Sequence, residues 1–409
     1  MSAKKFVIVG AALSANKGAA AMAESVVEHL HEYVGPAQFT LLTTYPKDDV
    51  TKTRDMQDVK VLGLEPLRLA CVEFPLALLG AISRALRIPR GWIRSRGCRA
   101  ILDSDCVIDV AGISFVDGRG IPITVYNALM TAVPLLLGTP TVKAAQAMGP
   151  FRTQPNKTLV KLILPHLAAI CARGAGTREH LDELRLKNVH DVADLAFTLP
   201  TANALPASIE ERIAHCRNQY VLVMPSSVVK GLYQKQGGDY VNAMVKLIEE
   251  IRRSTGRTVV VAPHSLRVGK PEGRMNDGPV CDEIIARLKG DPEAIGISED
   301  LYSAELRRLV ADSRVLVTSR FHAMISGLAT ATPTIVLGWS HKYREVLDLF
   351  GATKYGLDAM ALSDTSRVVD MVNDALDRHD DLEKQLKAAL PSVINQSEEN
   401  FRIIASVLR

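Results

Sequence analysis

The chain has 409 residues, enough for two domains, or three, at roughly 150 residues per domain. Apolar residues make up 47% and charged residues 23%, which excludes a mostly disordered, collagen-like or coiled-coil chain. The charge sum, 49 − 45 = +4, is too balanced for nucleic acid as a general partner.

The opening MSAKKFVIVG carries two lysines and then only a short apolar run. It reads as a strand rather than as the core of a secretory leader. Six cysteines stand far apart, at 71, 98, 106, 171, 216 and 281. None forms a C-x-x-C pair, and no Cys/His group has zinc-ligand spacing, so free thiols in a reducing cytoplasm and no metal are expected. No apolar stretch reaches the roughly 18 uninterrupted residues of a membrane span. The nearest, Leu69–Ser83, contains Glu73 and Pro75 and reads as a buried or amphipathic helix.

Along the chain, short β-branched runs alternate with longer helix-period stretches. The runs Phe6–Val9, Phe39–Leu42, Cys106–Val110, Tyr220–Met224, Thr258–Val261, Arg314–Thr318 and Thr334–Leu337 predict buried parallel strands. The stretches Ala19–Tyr33, Leu159–Ala169, Asp239–Arg253 and Glu305–Ala311 predict helices. This alternation implies α/β architecture with two Rossmann-like, doubly wound parallel-sheet domains. A proline-containing polar segment around Leu199–Glu210 marks the boundary. The expected division is 1–200, 205–360 and C-terminal helices over 361–409, which could pack back on the first domain. In such sheets ligands bind at the carboxyl ends of strands, and with two of them, in the cleft they face.

Several strand ends carry chemistry. After the first strand, a turn with Ser14, Asn16, Lys17 and Gly18 opens a small-residue helix, a place for an anion or a sugar hydroxyl. It matches neither G-x-G-x-x-G nor a Walker A loop, and reads equally well as a structural turn. The strand ending at Val110 runs into Gly112, where a ligand could approach closely, and Asp117, which could take a hydroxyl proton or simply hold a turn. Gln146 ends another strand ahead of Gly149. Arg173 precedes Gly174 and the capping Thr177; its fork suits phosphate or carboxylate, or pairs with Asp194. His264 follows a strand end in APHS. The sharpest segment is Ser319-Arg320-Phe321-His322, between an apolar strand and a small-residue helix. There an arginine, a helix N-terminus and an imidazole make an anion site with a group titrating near neutrality. Finally, Arg84, Arg87, Arg90, Arg94, Arg96 and Arg99 flank Trp92 and Ile93 beside the apolar helix. That cluster suits an anionic membrane face, the diphosphate of a lipid-linked sugar, or plain solvent.

The order of these segments resembles the polysaccharide pyruvyl transferase family. The matching elements are Asn16-x-Gly18, Gly112–Asp117 (G-I-S-F-x-D), Gln146–Phe151 (Q-x-x-G-P-F), Arg173 with Thr177, Asp194–Phe197 (D-x-A-F), Pro263-His264, Ser319–His322 (S-R-x-H) and Pro333–Ile335. They span about residues 6 to 350. The chain departs from the family's usual pattern at Gly174, Ala19 and Phe321. The resemblance implies a GT-B-like pair of domains that moves the enolpyruvyl group of phosphoenolpyruvate onto a sugar or glycan, lipid-linked acceptors included, as a pyruvate ketal with release of phosphate. It needs no cofactor beyond phosphoenolpyruvate as co-substrate. By this resemblance His322 and Arg320 are catalytic, with Asp117 as a candidate base. Arg173, Ser319, Arg320, Phe321, His322 and His264 bind the donor, and Asn16, Gly18, Gly112, Asp117 and Gln146 bind the acceptor. A GT-B glycosyltransferase using a nucleotide sugar and a catalytically silent sugar-binding protein are the alternatives. The expected location is cytoplasmic, with peripheral contact at the inner membrane face through the arginine cluster.

Overall fold

A computed structural model describes residues 3–408 apart from 54, 55, 57, 274, 275, 289, 339 and 341. The chain forms two compact units. The first holds residues 1–14, 19–199 and 394–409, the second 15–18 and 200–393. The division near the C-terminus falls within one helix, His379–Val407.

In the first unit, β1 (Lys4–Val9), β2 (Ala37–Thr43), β3 (Val59–Gly63), β4 (Cys106–Asp109), β5 (Thr141–Gln146), β6 (Ala169–Arg173) and β7 (Val189–Val192) form one sheet in the order β3-β2-β1-β4-β5-β6-β7. All its pairs are parallel. Helices cover both faces of such a sheet, which is why β4 is apolar and wholly buried apart from its last residue's charge. Val7, Val9 and Val107 pack with Ala77, Met130 and Leu137 from two helices. Each large side chain buried this way contributes roughly 1.5–3 kcal/mol.

In the second unit, β8 (Val221–Met224), β9 (Val259–Val261), β10 (Ala294–Gly296), β11 (Val315–Thr318), β12 (Thr334–Gly338) and β13 (Gly356–Asp358) form a parallel sheet in the order β10-β9-β8-β11-β12-β13. Leu222, Met224, Val260 and Leu316 share its core with Ile209, Leu306 and Leu309. The order reverses between β1 and β4 in the first sheet and between β8 and β11 in the second. These are the topological switch points at which open α/β sheets take ligands.

The helix expected over Leu159–Ala169 is instead Asn156–Ile163, followed by a tight 3-10 turn, Leu164–His166, with β6 beginning at Ala169. Pro165 lacks the N–H that would continue the α-helix.

Candidate functional site

In the second unit the switch point is built by the ends of β8 and β11, paired Val315↔Val221 through Thr318↔Met224. Ser226 and Ser227 follow β8; Ser319, Arg320, Phe321 and His322 follow β11 and open the helix Phe321–Ala329. The helix holds its small residues Ala323, Ser326 and Gly327 against the sheet. A Cβ on Gly327 would lie 2.1 Å from Thr334 Oγ1, so only glycine fits there.

Arg320 is not extended into solvent. Its Nε donates to Asp277 Oδ2 at 2.8 Å, its Nη2 donates to Asp277 Oδ1, and Nη2 also lies 3.1 Å from Ser227 Oγ. Asp277 is fully buried and accepts further bonds from Ser227 N at 2.9 Å and Ser265 N at 3.1 Å. One carboxylate thus ties together the ends of β8, β9 and β11. Burial works against the Arg320 charge, but Asp277 more than offsets this and holds the guanidinium above the usual arginine pKa. The pair fixes the guanidinium plane.

His264, at the end of β9, is buried. Its pKa lies well below the ordinary histidine value, first through desolvation and then through His322, Arg320 and Lys17. Four cationic or potentially cationic groups therefore feel one another here. Lys17 is almost fully buried and donates to Asp300 Oδ1 at 2.7 Å, while Ser303 Oγ donates to the Lys17 carbonyl. Gly18 lies against the imidazole of His322: a Cβ there would sit 2.0 Å from Nδ1. The Asn16 side chain accepts the Gly18 N–H at 3.1 Å, so Asn16 shapes this turn. Phe321 is buried, edge-on to His322 and to Tyr343 at 5.3 and 5.5 Å, with Lys342 Nζ 5.0 Å from its ring centre. The Ser319 carbonyl accepts from Tyr343 Oη at 3.0 Å. Ser226 Oγ is buried with no hydrogen-bond partner among the described residues, although buried hydroxyls ordinarily have one.

The first unit places its expected site residues differently. Gly112, at φ 68°, uses the left-handed region that glycine tolerates. Its carbonyl accepts Arg173 Nη2 at 2.8 Å, and Arg173 Nη1 binds the buried Asp194. Arg173 is thus a buried, paired cation that braces the Gly112 loop, the pairing with Asp194 that the sequence also offered. Gln146 is fully buried, donating to the Asp109 carbonyl at 2.8 Å and accepting from Ser114. Its amide is thereby held by the chain's own groups. Asp117 accepts from Arg152 N, Thr153 N and Asn156 Nδ2 at 2.6, 3.0 and 2.8 Å. Desolvation would raise its pKa, but the bonds from Asn156 and Thr153 and from the backbone hold it below the usual carboxylate range. Asp117 is consequently an anchor for the 152–156 turn and a weaker base than an ordinary carboxylate.

Sequence reasoning missed Asp277, Lys17 and Tyr343 as site members. Asp277 lies 43 positions from Arg320, and no local pattern joins them. Lys17 was visible in the first turn but carried no motif of its own. One His/Asp/Glu group, His379, Asp380 and Glu383, has ligand-like spacing within 4.8 Å. Its Asp380 is exposed and already paired with Arg314 and His379.

The chain is similar over its whole length to solved sugar enzymes. A UDP-GlcNAc 2-epimerase from Neisseria meningitidis, bound to UDP-GlcNAc, is 11% identical over 99% of both chains with a TM-score of 0.61. A glycosyltransferase from Rickettsia africae is 13% identical over 100% of both, TM-score 0.57. A UDP-GlcNAc 2-epimerase from Methanocaldococcus jannaschii is 12% identical over 89% of this chain and 92% of that one, TM-score 0.53. At such identities the likeness shows the fold: two parallel-sheet α/β domains of the kind found in GT-B glycosyltransferases and epimerases. The strand-end residues discriminate further. The Asn16–Gly18 turn, Gly112, Arg173, His264 and the Ser319–His322 segment lie inside one continuous family match over residues 16–341, and by that match the chain belongs to the polysaccharide pyruvyl transferase family.

Proposed function

We propose that the protein transfers the enolpyruvyl carbons of phosphoenolpyruvate to two hydroxyls of a sugar or glycan, forming a pyruvate ketal and releasing phosphate. Membership of the family supports a transferase that modifies polysaccharide. The observation that carries the donor assignment is the grouping of Lys17, His264, Arg320 and His322 in the second unit, with Arg320 held in one orientation by Asp277 beside the start of the helix Phe321–Ala329. A trianionic donor would bring negative charge to the place where Arg320 and the helix N-terminus favour it.

The reaction needs a proton at the methylene carbon of the donor, which becomes the ketal methyl. One hydroxyl adds to the carbon bearing phosphate and gives up its proton. The C–O bond to phosphate then breaks, phosphate leaves with the bonding pair, and the second hydroxyl adds and loses its proton. His322, at a helix N-terminus, is the general acid in this scheme, worth about 10²- to 10⁴-fold. His264, kept neutral by burial and by its cationic neighbours, is better suited than Asp117 to accept a hydroxyl proton. Arg320 stabilises the donor's charge in one fixed orientation. The cytoplasm, where phosphoenolpyruvate is made, is the compartment this reading requires.

The test is phosphate release from phosphoenolpyruvate across a panel of sugar acceptors, with NMR detection of a new ketal methyl. Protection of the second unit against thermal unfolding by phosphoenolpyruvate, and not by UDP or GDP, is the expected companion result. Protection by a nucleoside diphosphate alone would replace this reading with nucleotide-sugar glycosyl transfer.

A further inference from the structure

The helical run Pro66–Ala85 is 20 residues long and, by length and composition, apolar enough to cross a membrane. Its apolar surface is divided between two sides. Leu69, Ala77, Gly80 and Ser83 are buried together with the single acid, Glu73, and Phe74 and Leu76 pack against the same core. The residues it turns outward are large and apolar: Leu67, Val72, Leu78, Leu79, Ile82 and Leu86, with Leu67 79% and Leu86 65% exposed. Contiguous outward-facing apolar surface of this kind marks an interaction site.

Charge says what covers it. Residues 66–102 contain seven arginines, one glutamate and no lysine or aspartate, a sum of 7 − 1 = +6, whereas the whole chain sums to +4 and the remainder therefore to −2. Glu73 is withdrawn from the surface: Arg68 Nε and Cys98 N donate to it at 3.0 Å, and so does Ser95 Oγ. Arg84, Arg87, Arg94 and Arg96 are exposed, as are Ile88 and Trp92. The basic segment is held beside the helix. Ile93 is buried, 3.1 Å from where a Cβ on Gly80 would stand, and Arg90 Nη1 donates to the Leu137 carbonyl at 2.5 Å.

We propose that this face of the first unit binds an anionic lipid surface, with Leu78, Leu79 and Ile82 entering the acyl boundary and the arginines reaching phosphate headgroups. A second copy of the chain is the wrong occupant, because pairing this face with itself would set +6 against +6. Crossing the bilayer is also excluded by the contacts: Leu69 and Ala77 belong to the same core as Cys98 and Val107, so the helix cannot leave the unit without unfolding it. The helix therefore lies on the membrane.

The experiment is flotation of the full chain with phosphatidylcholine vesicles, with and without phosphatidylglycerol, at low and high salt. Binding is expected with phosphatidylglycerol only, stronger at low salt. Leu79→Glu/Ile82→Glu should abolish it at any salt, and each Arg→Ala at 87, 94 or 96 should weaken it about fivefold at low salt. These side chains are exposed, so unchanged melting temperatures are expected and serve as the folding control. Cys71 is the one exposed cysteine of the six, so an environment-sensitive maleimide dye there should shift to the blue on binding. No flotation at low salt, flotation unaffected by either substitution, or variants that instead abolish a concentration-dependent dimer would overturn the proposal. The readout is partition and not turnover, so it stands or falls separately from the pyruvyl-transfer reading.

Discussion

Asp277 changes what a substitution at Arg320 means. Viewed along the sequence, Arg320→Ala is a clean loss of a donor contact with the fold intact. In the structure it strands a fully buried carboxylate, and removing one partner of a buried pair costs about 3–5 kcal/mol. Arg320→Ala is therefore expected to lower the melting temperature and abolish turnover together. Arg320→Lys keeps the charge but loses the two-point grip on Asp277. It should leave melting nearly unchanged while cutting turnover by about a hundredfold or more. Full activity in the lysine variant would remove Arg320 from the reacting centre. His264 makes a second prediction at this scale. Its folded pKa is well below the unfolded value of about 6.5, so below that pH the unfolded chain binds the extra proton. Stability is then lost as pH falls, by about 1.4 kcal/mol per unit until the folded pKa is reached. Thermal melts from pH 7 to pH 5 should show this slope, and His264→Asn should flatten it.

At the scale of elements, the strand-to-helix turns hold the chemistry in place with little room to spare. A methyl group at position 18 would overlap the His322 imidazole. Gly18→Ala is thus expected to move His322 and cut turnover by about two orders of magnitude, with far-UV circular dichroism and melting unchanged. Retained turnover would place the acid elsewhere. The same scale explains what could be read from the amino acids. The central strands β1, β4, β8 and β11 are covered on both faces, so each writes an unbroken β-branched run. The edge strands β3, β7 and β13 are short and partly polar, and β10 is only three residues, Ala-Ile-Gly, so they carried no such signal. Arg320 and His322 were legible because a strand end and a helix start bracket them. Gln146 occupies the same kind of position. It stands at the end of β5 but points into the core, where the Asp109 carbonyl and Ser114 satisfy its amide. The segment Leu69–Ser83 read as a buried or amphipathic helix, and only the structure shows which of its leucines face outward.

Across the whole molecule, the modest net charge conceals a separation: residues 66–102 carry more positive charge than the chain as a whole. The net charge argued only against nucleic acid as a general partner; the clustering of the arginines between positions 84 and 99 is what marks one local anionic surface. The C-terminal stretch provides a stability prediction. Asn400 is fully buried; its Oδ1 accepts Ala145 N at 2.9 Å and its Nδ2 donates to the Ala193 carbonyl at 3.1 Å, next to Ser397, which donates to the Asp194 carbonyl. Asn400→Ala orphans a backbone N–H at β5 and should destabilise the first unit by about 1–3 kcal/mol, read as a lowered urea midpoint. An unchanged midpoint would mean that water replaces these bonds.

That arrangement also sets an order of events on the ribosome. The sheet that starts at Lys4 receives Ser397 and Asn400 only after the whole second unit, up to residue 393, has been translated. A first unit released before residue 400 is made would lack these bonds to β5 and to the 193–194 backbone.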